Sequence, residues 1–205
     1  DGVPEDWVLC GNGASDLIDR LVRALRPDHA LVLAPTFSEY HRALYKNNCK
    51  VKFHYANMHE DFRFSSALLG KISQEIDAVF LCDPNNPTGT ILDEKSLLNV
   101  YEQVKKRDMF VICDECYNQL VYNERRPGFV RFQDLREKIV YCQSFSKPYA
   151  MTGWRLGYMM ASKEFIEQAF KVHQYTTVCA NTFIQYAAIE ALRFDPAPFV
   201  EEYRK

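Results

Sequence analysis

Short apolar runs recur along the chain and alternate with stretches of helical periodicity. The runs are rich in Val, Ile, Phe and Tyr, and several are apolar at consecutive positions, which is typical of strands covered on both faces. We predict strands at residues 29–35, 50–56, 78–83, 109–114, 139–144 and 155–161, after a shorter apolar run at 7–10. Helical periodicity predicts helices at residues 15–25, 93–107, 163–173 and 181–192. The alternation predicts an α/β fold of three layers, in which a mostly parallel mixed sheet lies between helices.

Composition excludes several classes of protein. The chain has 205 residues with 47% hydrophobic and 25% charged side chains, an ordinary globular composition with ample material for a core. A formal net charge of −2 argues against a strongly basic nucleic-acid-binding protein. We also expect no membrane association, because no apolar run approaches the roughly 18 residues of a membrane span.

The cysteines favour a reducing compartment. There are seven, an odd number, and most lie inside apolar runs, so we expect free thiols and a cytoplasmic protein. Cys113 and Cys116 form a C-x-x-C motif, which can bind zinc or carry redox chemistry. Zinc sites usually need a second pair or nearby histidines, and the five histidines are scattered. We therefore expect no metal and interpret the motif as two thiols near the end of a strand.

The first polar motif follows the run at residues 7–10. Residues 11–16 (GNGASD) are small and open a predicted helix, where backbone N–H groups can approach an anion. Ser15 is a candidate for the helix cap. The motif lacks the third glycine of G-x-G-x-x-G and the Gly-Lys-Ser/Thr of a P-loop. A plain cap and turn is therefore the alternative at this point.

Two further motifs follow predicted strands, at the edge where parallel sheets bind their ligands. Residues 84–89 (PNNPTG) form a turn in which flanking prolines can hold the amide of Asn86 toward a ligand. Asp114 ends a buried apolar strand, where a carboxylate is costly unless it is paired. A helix cap or an ion pair would satisfy it, and so would a cationic ring nitrogen.

The fourth motif follows the strand at residues 139–144. Residues 144–157 (SFSKPYAMTGWRLG) contain a lysine beside two serines, with an arginine eight positions later. A partly buried lysine can form a Schiff base, and serine hydroxyls with Arg155 suit a phosphate group. The alternative is a solvated lysine in a glycine-containing loop.

Taken together and in this order, the motifs resemble those of the class I and II aminotransferases, which are pyridoxal phosphate enzymes of fold type I. Residues 144–157 look like the cofactor-lysine signature of that family, and residues 86–89 and 114–117 stand at the expected places before it. The resemblance covers nearly the whole chain. It implies transfer of an amino group from an amino acid to a 2-oxo acid through a lysine Schiff base with pyridoxal 5'-phosphate.

The resemblance also implies a role for each matching residue. Lys147 would form the Schiff base and then move the substrate proton as a general acid–base. Asp114 would pair with the pyridine nitrogen, while Asn86 and Tyr117 would hydrogen-bond the phenolic oxygen. Phe37 would stack on the ring, at a position where the family often has Tyr or Trp. The implied phosphate ligands are Gly13, Ala14, Ser15, Ser144, Ser146 and Arg155.

The chain departs from the family in extent. Family members are considerably longer, so residues 1–205 look like the cofactor-binding large (catalytic) domain without the N-terminal segment and the C-terminal small domain. The arginine that binds the substrate carboxylate has no match here and is expected outside this chain. We expect a homodimer at full length, and an apolar surface where the small domain would pack. For this chain alone, weak cofactor binding and no turnover are the expectation.

The same motifs are compatible with other functions. They also serve decarboxylases and carbon–sulfur lyases, and residues 31–40 (LVLAPTFSEY) look like threonine-phosphate decarboxylases and histidinol-phosphate aminotransferases. Residues 150–158 and 171–175 look more like aspartate- and aromatic-type aminotransferases, which favours transamination. A non-catalytic aminotransferase-like regulatory domain is the alternative from another class. The sequence does not identify the amino-acid substrate.

Overall fold

A computed structural model describes residues 2–63, 72–122 and 128–202 of the chain. The strands in these ranges are β1 (Val8–Gly11), β2 (His29–Ala34), β3 (Lys50–Tyr55), β4 (Ala78–Cys82), β5 (Phe110–Asp114), β6 (Ile139–Ser144) and β7 (Gly157–Met160). The α-helices are α1 (Ala14–Leu25), α2 (Ser38–Lys46), α3 (Glu94–Lys106), α4 (Lys163–Gln174), α5 (Thr182–Arg193) and α6 (Ala197–Glu202).

The seven strands form one mixed sheet in the order β1-β7-β6-β5-β4-β2-β3. The pairs from β3 through β2, β4 and β5 to β6 are all parallel. Strand β7 runs antiparallel to both of its neighbours, β6 and β1. The predicted α/β fold with a mostly parallel mixed sheet is therefore confirmed.

Helices cover both faces of the sheet, which explains the consecutive apolar positions in its strands. All five residues of β4 are buried. Phe80 joins the core that helices α1, α2 and α4 form on one face. Its neighbours Val79 and Leu81 join the core that α3 forms on the other face. Alternate side chains of one strand thus fill two separate cores, as a three-layer arrangement requires.

Several local details differ from the sequence predictions. Helix α2 was not predicted, although Tyr40, Ala43 and Leu44 form a buried stripe at helical spacing. The predicted strand at residues 155–161 shortens to β7 because Arg155 adopts a left-handed conformation, with φ of 54°. The expectation that Ser15 caps α1 was wrong, because the helix begins at Ala14 and no side chain caps it.

The helices near the end of the described chain carry exposed apolar side chains. On α5, Phe183, Tyr186 and Leu192 are 67%, 68% and 60% exposed. Phe183 and Tyr186 are three positions apart and lie beside each other on the helix surface, whereas Leu192 lies on another side of α5. Among the described helices, none combines the length and the apolar character needed to cross a membrane.

Candidate active site

The predicted site residues converge at one edge of the sheet. The parallel strands β2, β4, β5 and β6 end there, and the reversed strand β7 begins there. All of the predicted residues except Gly13 line one cavity of about 180 Å³. They are Ala14, Ser15, Phe37, Asn86, Asp114, Tyr117, Ser144, Ser146, Lys147 and Arg155. The strand order therefore brings residues from five separate loops to one edge of the sheet.

The register of the sheet places the motifs beside each other. The Cα of Cys82 at the end of β4 pairs with that of Asp114 on β5, which in turn pairs with that of Cys142 on β6. At the next pair of strands, Ser144 lies opposite Gly157. The strands thus end close together along one edge of the sheet, and the loops that follow them surround the same space.

The start of helix α1 forms one part of the cavity. Gly13 precedes the helix with φ of 90°, a conformation that side chains strongly disfavour, and no side chain caps the helix there. Strand β7 approaches closely, because a Cβ on Gly157 would lie 2.9 Å from the Ala14 nitrogen. A Cβ on Gly13 would lie 2.8 Å from Nη2 of Arg155. Gly13 itself thus adjoins the site, where N–H groups and a guanidinium favour an anion.

Hydrogen bonds hold the loop between β6 and β7. The Ser146 N–H donates to Oγ of Ser144 at 3.1 Å, and Oγ1 of Thr152 donates to the Ser146 carbonyl at 3.1 Å. Nη1 of Arg155 then donates to the Thr152 carbonyl at 3.2 Å. The arginine is therefore tethered to the loop that carries the lysine.

Lys147 is half-buried within this loop and lines the cavity. Its Nζ lies 5.2 Å from the centroid of the Tyr117 ring, within the range of a cation–π contact. Within the described residues it forms no ion pair with a carboxylate. An amine in this position can reach a molecule in the cavity.

Asp114 is buried, at 4% exposure, and its carboxylate reaches the cavity. Its Oδ2 accepts a hydrogen bond from Oη of Tyr40 at 2.6 Å, and its Oδ1 accepts from the Cys116 N–H at 3.2 Å. No Lys, Arg or His side chain in residues 2–63, 72–122 or 128–202 forms a salt bridge with it. A buried carboxylate without a basic partner favours a cationic group in the cavity.

Asn85 fixes the loop that presents Asn86. Its Oδ1 accepts from Thr36 Oγ1 at 2.8 Å, and its Nδ2 donates to the Pro35 carbonyl at 2.9 Å and to Thr88 Oγ1 at 2.7 Å. These contacts join the loop after β4 to the loop after β2. The neighbouring Asn86 is left lining the cavity, as predicted. Sequence analysis did not assign this anchoring role to Asn85.

The thiols around the site are held neutral. Burial and the charge of Asp114 raise the pKa of Cys82 to about 12 and raise the pKa of Cys116 as well. Cys113 lies within β5, where burial again raises its pKa. In the part of the chain that is described, no cluster of three or more His, Cys, Asp or Glu side chains is arranged for a metal ion. The thiols act here as small apolar groups of the cavity wall.

Sequence analysis missed four residues of the site. Cys82, Cys116 and Thr152 also line the cavity, and Tyr40 contacts Asp114 from behind it. Tyr40 lies three positions after Phe37, so the periodicity of α2 was a usable signal for it. The others belong to motifs that were recognised, but their orientation depends on the loop conformations.

The fold and the cavity define a class of protein. It is an α/β protein with a cavity at the sheet edge that is lined by a buried carboxylate, a lysine and an arginine. The family model for aminotransferases of class I and II matches residues 2–205. The chain belongs to this family.

Relatives with curated names agree with this assignment. The chain is 31% identical to an aspartate aminotransferase of Thermotoga maritima over 99% of its own length and 55% of the relative's. It is also 31% identical to a threonine-phosphate decarboxylase of Salmonella typhimurium, over 79% of the chain and 44% of that protein. The chain thus spans about half the length of the curated relatives it matches.

Solved structures show the same fold. The crystal structure of the Thermotoga maritima aspartate aminotransferase matches with a TM-score of 0.92 at 30% identity, covering 98% of this chain and 55% of that one. An aromatic aminotransferase from Pyrococcus horikoshii matches with a TM-score of 0.90 at 31% identity, covering 96% and 54%. The large-scale arrangement of strands and helices is therefore that of the aminotransferase family.

Proposed function

We propose that this chain is the pyridoxal phosphate-binding domain of an enzyme that transfers amino groups from amino acids to 2-oxo acids. One observation carries the proposal: Asp114, Lys147 and Arg155 line the same cavity. Each supplies a different group that the cofactor requires, namely a carboxylate, a primary amine and a guanidinium. Membership of the aminotransferase family supports the same conclusion.

The residues present fit the cofactor. The carboxylate of Asp114, which has no basic partner among the described side chains, suits a protonated ring nitrogen. The uncapped start of α1 and Arg155 suit the phosphate, with Ser144 and Ser146 close by. Phe37 lines the cavity with an aromatic ring that can stack on the cofactor.

The chemistry divides between the cofactor and the side chains. Bound pyridoxal phosphate supplies an electron sink that stabilises negative charge at the substrate Cα. Asp114 would keep a proton on the ring nitrogen, while Asn86 and Tyr117 would donate hydrogen bonds to the phenolic oxygen. Lys147 would hold the cofactor through Nζ, and its free amine would be placed to remove the Cα proton of the substrate.

Covalent attachment of the cofactor tests the proposal. The full-length protein is incubated with pyridoxal phosphate, reduced with borohydride and digested, and the peptide that carries residue 147 is analysed by mass spectrometry. We expect a stable adduct on Lys147 that is absent in Lys147→Ala. Lys163→Ala, which removes an exposed lysine paired with Asp6, is the matched control and keeps the adduct. A wild-type protein without an adduct on Lys147 contradicts the proposal.

A decarboxylase or a carbon–sulfur lyase is the second candidate. The similarity to a threonine-phosphate decarboxylase over 79% of this chain favours it. The same cofactor contacts serve either reaction, because the bond broken at Cα depends on how the substrate is oriented. Product analysis separates the two: a keto acid indicates transamination, whereas carbon dioxide or sulfide indicates the second candidate.

We further propose that residues 1–205 are the large domain of a longer homodimeric protein in the cytoplasm. The coverage of 55% of an aspartate aminotransferase supports a longer protein, and the exposed apolar side chains of α5 support a covering element. Sedimentation of the full-length protein tests the dimer, and a monomer at micromolar concentration contradicts it.

A further inference from the structure

Tyr40 occupies the space behind the site. It lies on α2 with 1% exposure, and its side chain does not line the cavity. Its Oη donates to Oδ2 of Asp114 at 2.6 Å, the short distance of a hydrogen bond to a charged oxygen. This contact joins residues separated by two strands of the chain, β3 and β4. This hydrogen bond is therefore a tertiary contact and not a local one.

The same tyrosine also contacts the aromatic residue of the site. Its ring centroid lies 5.6 Å from that of Phe37, with the planes at 82°, and 5.6 Å from that of Phe80, with the planes at 40°. The contact with Phe37 is edge-to-face and the contact with Phe80 is tilted, so the Tyr40 ring packs against both. Tyr40 therefore links Phe37 to Asp114 through one rigid side chain.

The protonation state of Tyr40 is settled by its surroundings. Burial and the neighbouring charge of Asp114 raise the pKa of its phenol well above the ordinary value. The thiol of Cys82, which also faces the hydroxyl, is neutral because burial raises its pKa to about 12. The phenol is thus protonated at neutral pH and is the donor in its hydrogen bond with Asp114.

We propose that Tyr40 is a positioning residue that orients the Asp114 carboxylate toward the cavity through its hydrogen bond, and thereby favours a proton on the cofactor's ring nitrogen. This inference rests on the proposed binding of pyridoxal phosphate. A hydrogen bond to a carboxylate lowers the affinity of that carboxylate for a proton. When carboxylate and ring nitrogen share one proton, the bond from Tyr40 therefore shifts the proton toward the nitrogen.

The nitrogen-15 chemical shift of the ring tests this directly. The full-length protein is loaded with pyridoxal phosphate labelled at the pyridine nitrogen, and the signal is compared between wild type and Tyr40→Phe. We expect the signal of Tyr40→Phe to move toward that of a neutral pyridine. Loss of one hydrogen bond to a charged group corresponds to roughly a tenfold change in an equilibrium or rate constant. We therefore also expect kcat to fall about tenfold.

A matched control removes a hydroxyl of the same kind elsewhere. Oη of Tyr101 donates to Oδ2 of the exposed Asp134 at 2.8 Å, remote from the cavity lining. Tyr101→Phe therefore deletes a tyrosine–aspartate hydrogen bond without touching the site. We expect its nitrogen-15 signal to match that of the wild type.

A second replacement separates hydrogen bonding from packing. Incorporation of 3-fluorotyrosine at position 40 keeps the hydroxyl and makes it a stronger donor, while it crowds the same buried space. We expect its signal at the wild-type position or farther toward the protonated nitrogen. A shift toward neutral pyridine in this protein, or an unchanged signal in Tyr40→Phe, overturns the role of Tyr40. Failure of the wild type to bind pyridoxal phosphate instead overturns the proposed function.

Discussion

Gly13 and Arg155 lie against each other at the start of α1, since a Cβ on Gly13 would come within 2.8 Å of Nη2 of Arg155. The contact joins the loop after β1 to the loop before β7. It places a guanidinium beside the free N–H groups of a helix start, which together favour an anionic group. A glycine at position 13 therefore leaves the space that the Arg155 guanidinium occupies.

We predict that Gly13→Ala weakens binding of pyridoxal phosphate and destabilises the protein by about 1–3 kcal/mol. The new methyl group displaces the guanidinium, and the backbone conformation at φ of 90° and ψ of 166° is strained for any side chain. Titration with the cofactor and thermal unfolding measure the two effects. Gly89→Ala is the control, because Gly89 also has a positive φ but a Cβ there meets nothing within 4 Å. An equal loss of affinity in both variants would contradict the role of the contact.

We predict that Asp114→Asn retains bound cofactor but loses most of its turnover. Lys147 and Arg155 still hold the cofactor in this variant, whereas the neutral amide no longer favours a proton on the ring nitrogen. Loss of a buried charge pair corresponds to a fall in kcat of roughly 100-fold or more. Cofactor content after dialysis and steady-state kinetics provide the measurement. Asp108→Asn, an exposed residue before the other end of β5, is the control and should behave as the wild type.

We predict that Asn85→Ala destabilises the protein by about 2–4 kcal/mol. The substitution removes three side-chain hydrogen bonds of a buried amide and leaves their partners unsatisfied. Denaturant unfolding gives the free energy of unfolding. Asn47→Ala, which removes a single bond from Nδ2 to the Ala43 carbonyl, should cost only about 1 kcal/mol. Comparable losses in the two variants would show that Asn85 does not anchor the two loops.

We predict that Asp83 makes the protein less stable as the pH rises from about 4 to about 6. Burial raises the pKa of its carboxyl to about 6 in the folded protein, above the ordinary 3.8, although the Leu92 N–H donates to it. The folded state therefore binds more protons than the unfolded state in this window, and stability falls as the carboxyl ionises. Each pH unit corresponds to about 1.4 kcal/mol, so the free energy of unfolding falls by at most about 3 kcal/mol.

Asp83→Asn tests this dependence by measuring the free energy of unfolding at pH 4 and pH 7. The variant should be more stable than the wild type at pH 7, with a smaller difference at pH 4. Asp134→Asn is the contrasting control, because the hydroxyl of Tyr101 lowers the pKa of that exposed carboxyl. Its effect should be small and of the opposite sign. A parallel pH dependence for wild type and Asp83→Asn would contradict the prediction.

The features that sequence reasoning found are those fixed by local pattern and by strand order. The buried apolar runs predicted the strands. Because ligands bind at the carboxyl ends of parallel strands, the sequence also predicted that Asn86, Asp114 and Lys147 lie at one edge of the sheet. Arg155 precedes a strand and does not follow one. The reversal of β7 explains why it reaches the same edge, and the motif at residues 144–157 had already indicated it as a phosphate ligand.

The features that sequence reasoning missed depend on tertiary geometry. Asn85 and Asn86 are identical side chains at adjacent positions, yet one is buried between loops and the other lines the cavity. The loop conformation decides between them. From the sequence, Tyr40 looks like an ordinary core residue of α2. Its hydrogen bond to Asp114 links distant segments, so local sequence does not predict it. Ser15 resembles a helix cap in composition, but the backbone at Gly13 starts the helix earlier.

The pairing of β1 with β7 has a consequence for how the chain folds during synthesis. Strand β1 lies at the edge of the sheet and pairs with β7, Val8 opposite Met160, across almost the whole described chain. Such a contact closes a very long loop and forms late. A nascent chain that has not yet emerged as far as β7 can assemble the parallel strands with Asn86 and Asp114, but its first strand has no partner. Residues 8–11 are therefore synthesised well before their partner strand and are among the last of the sheet to be placed.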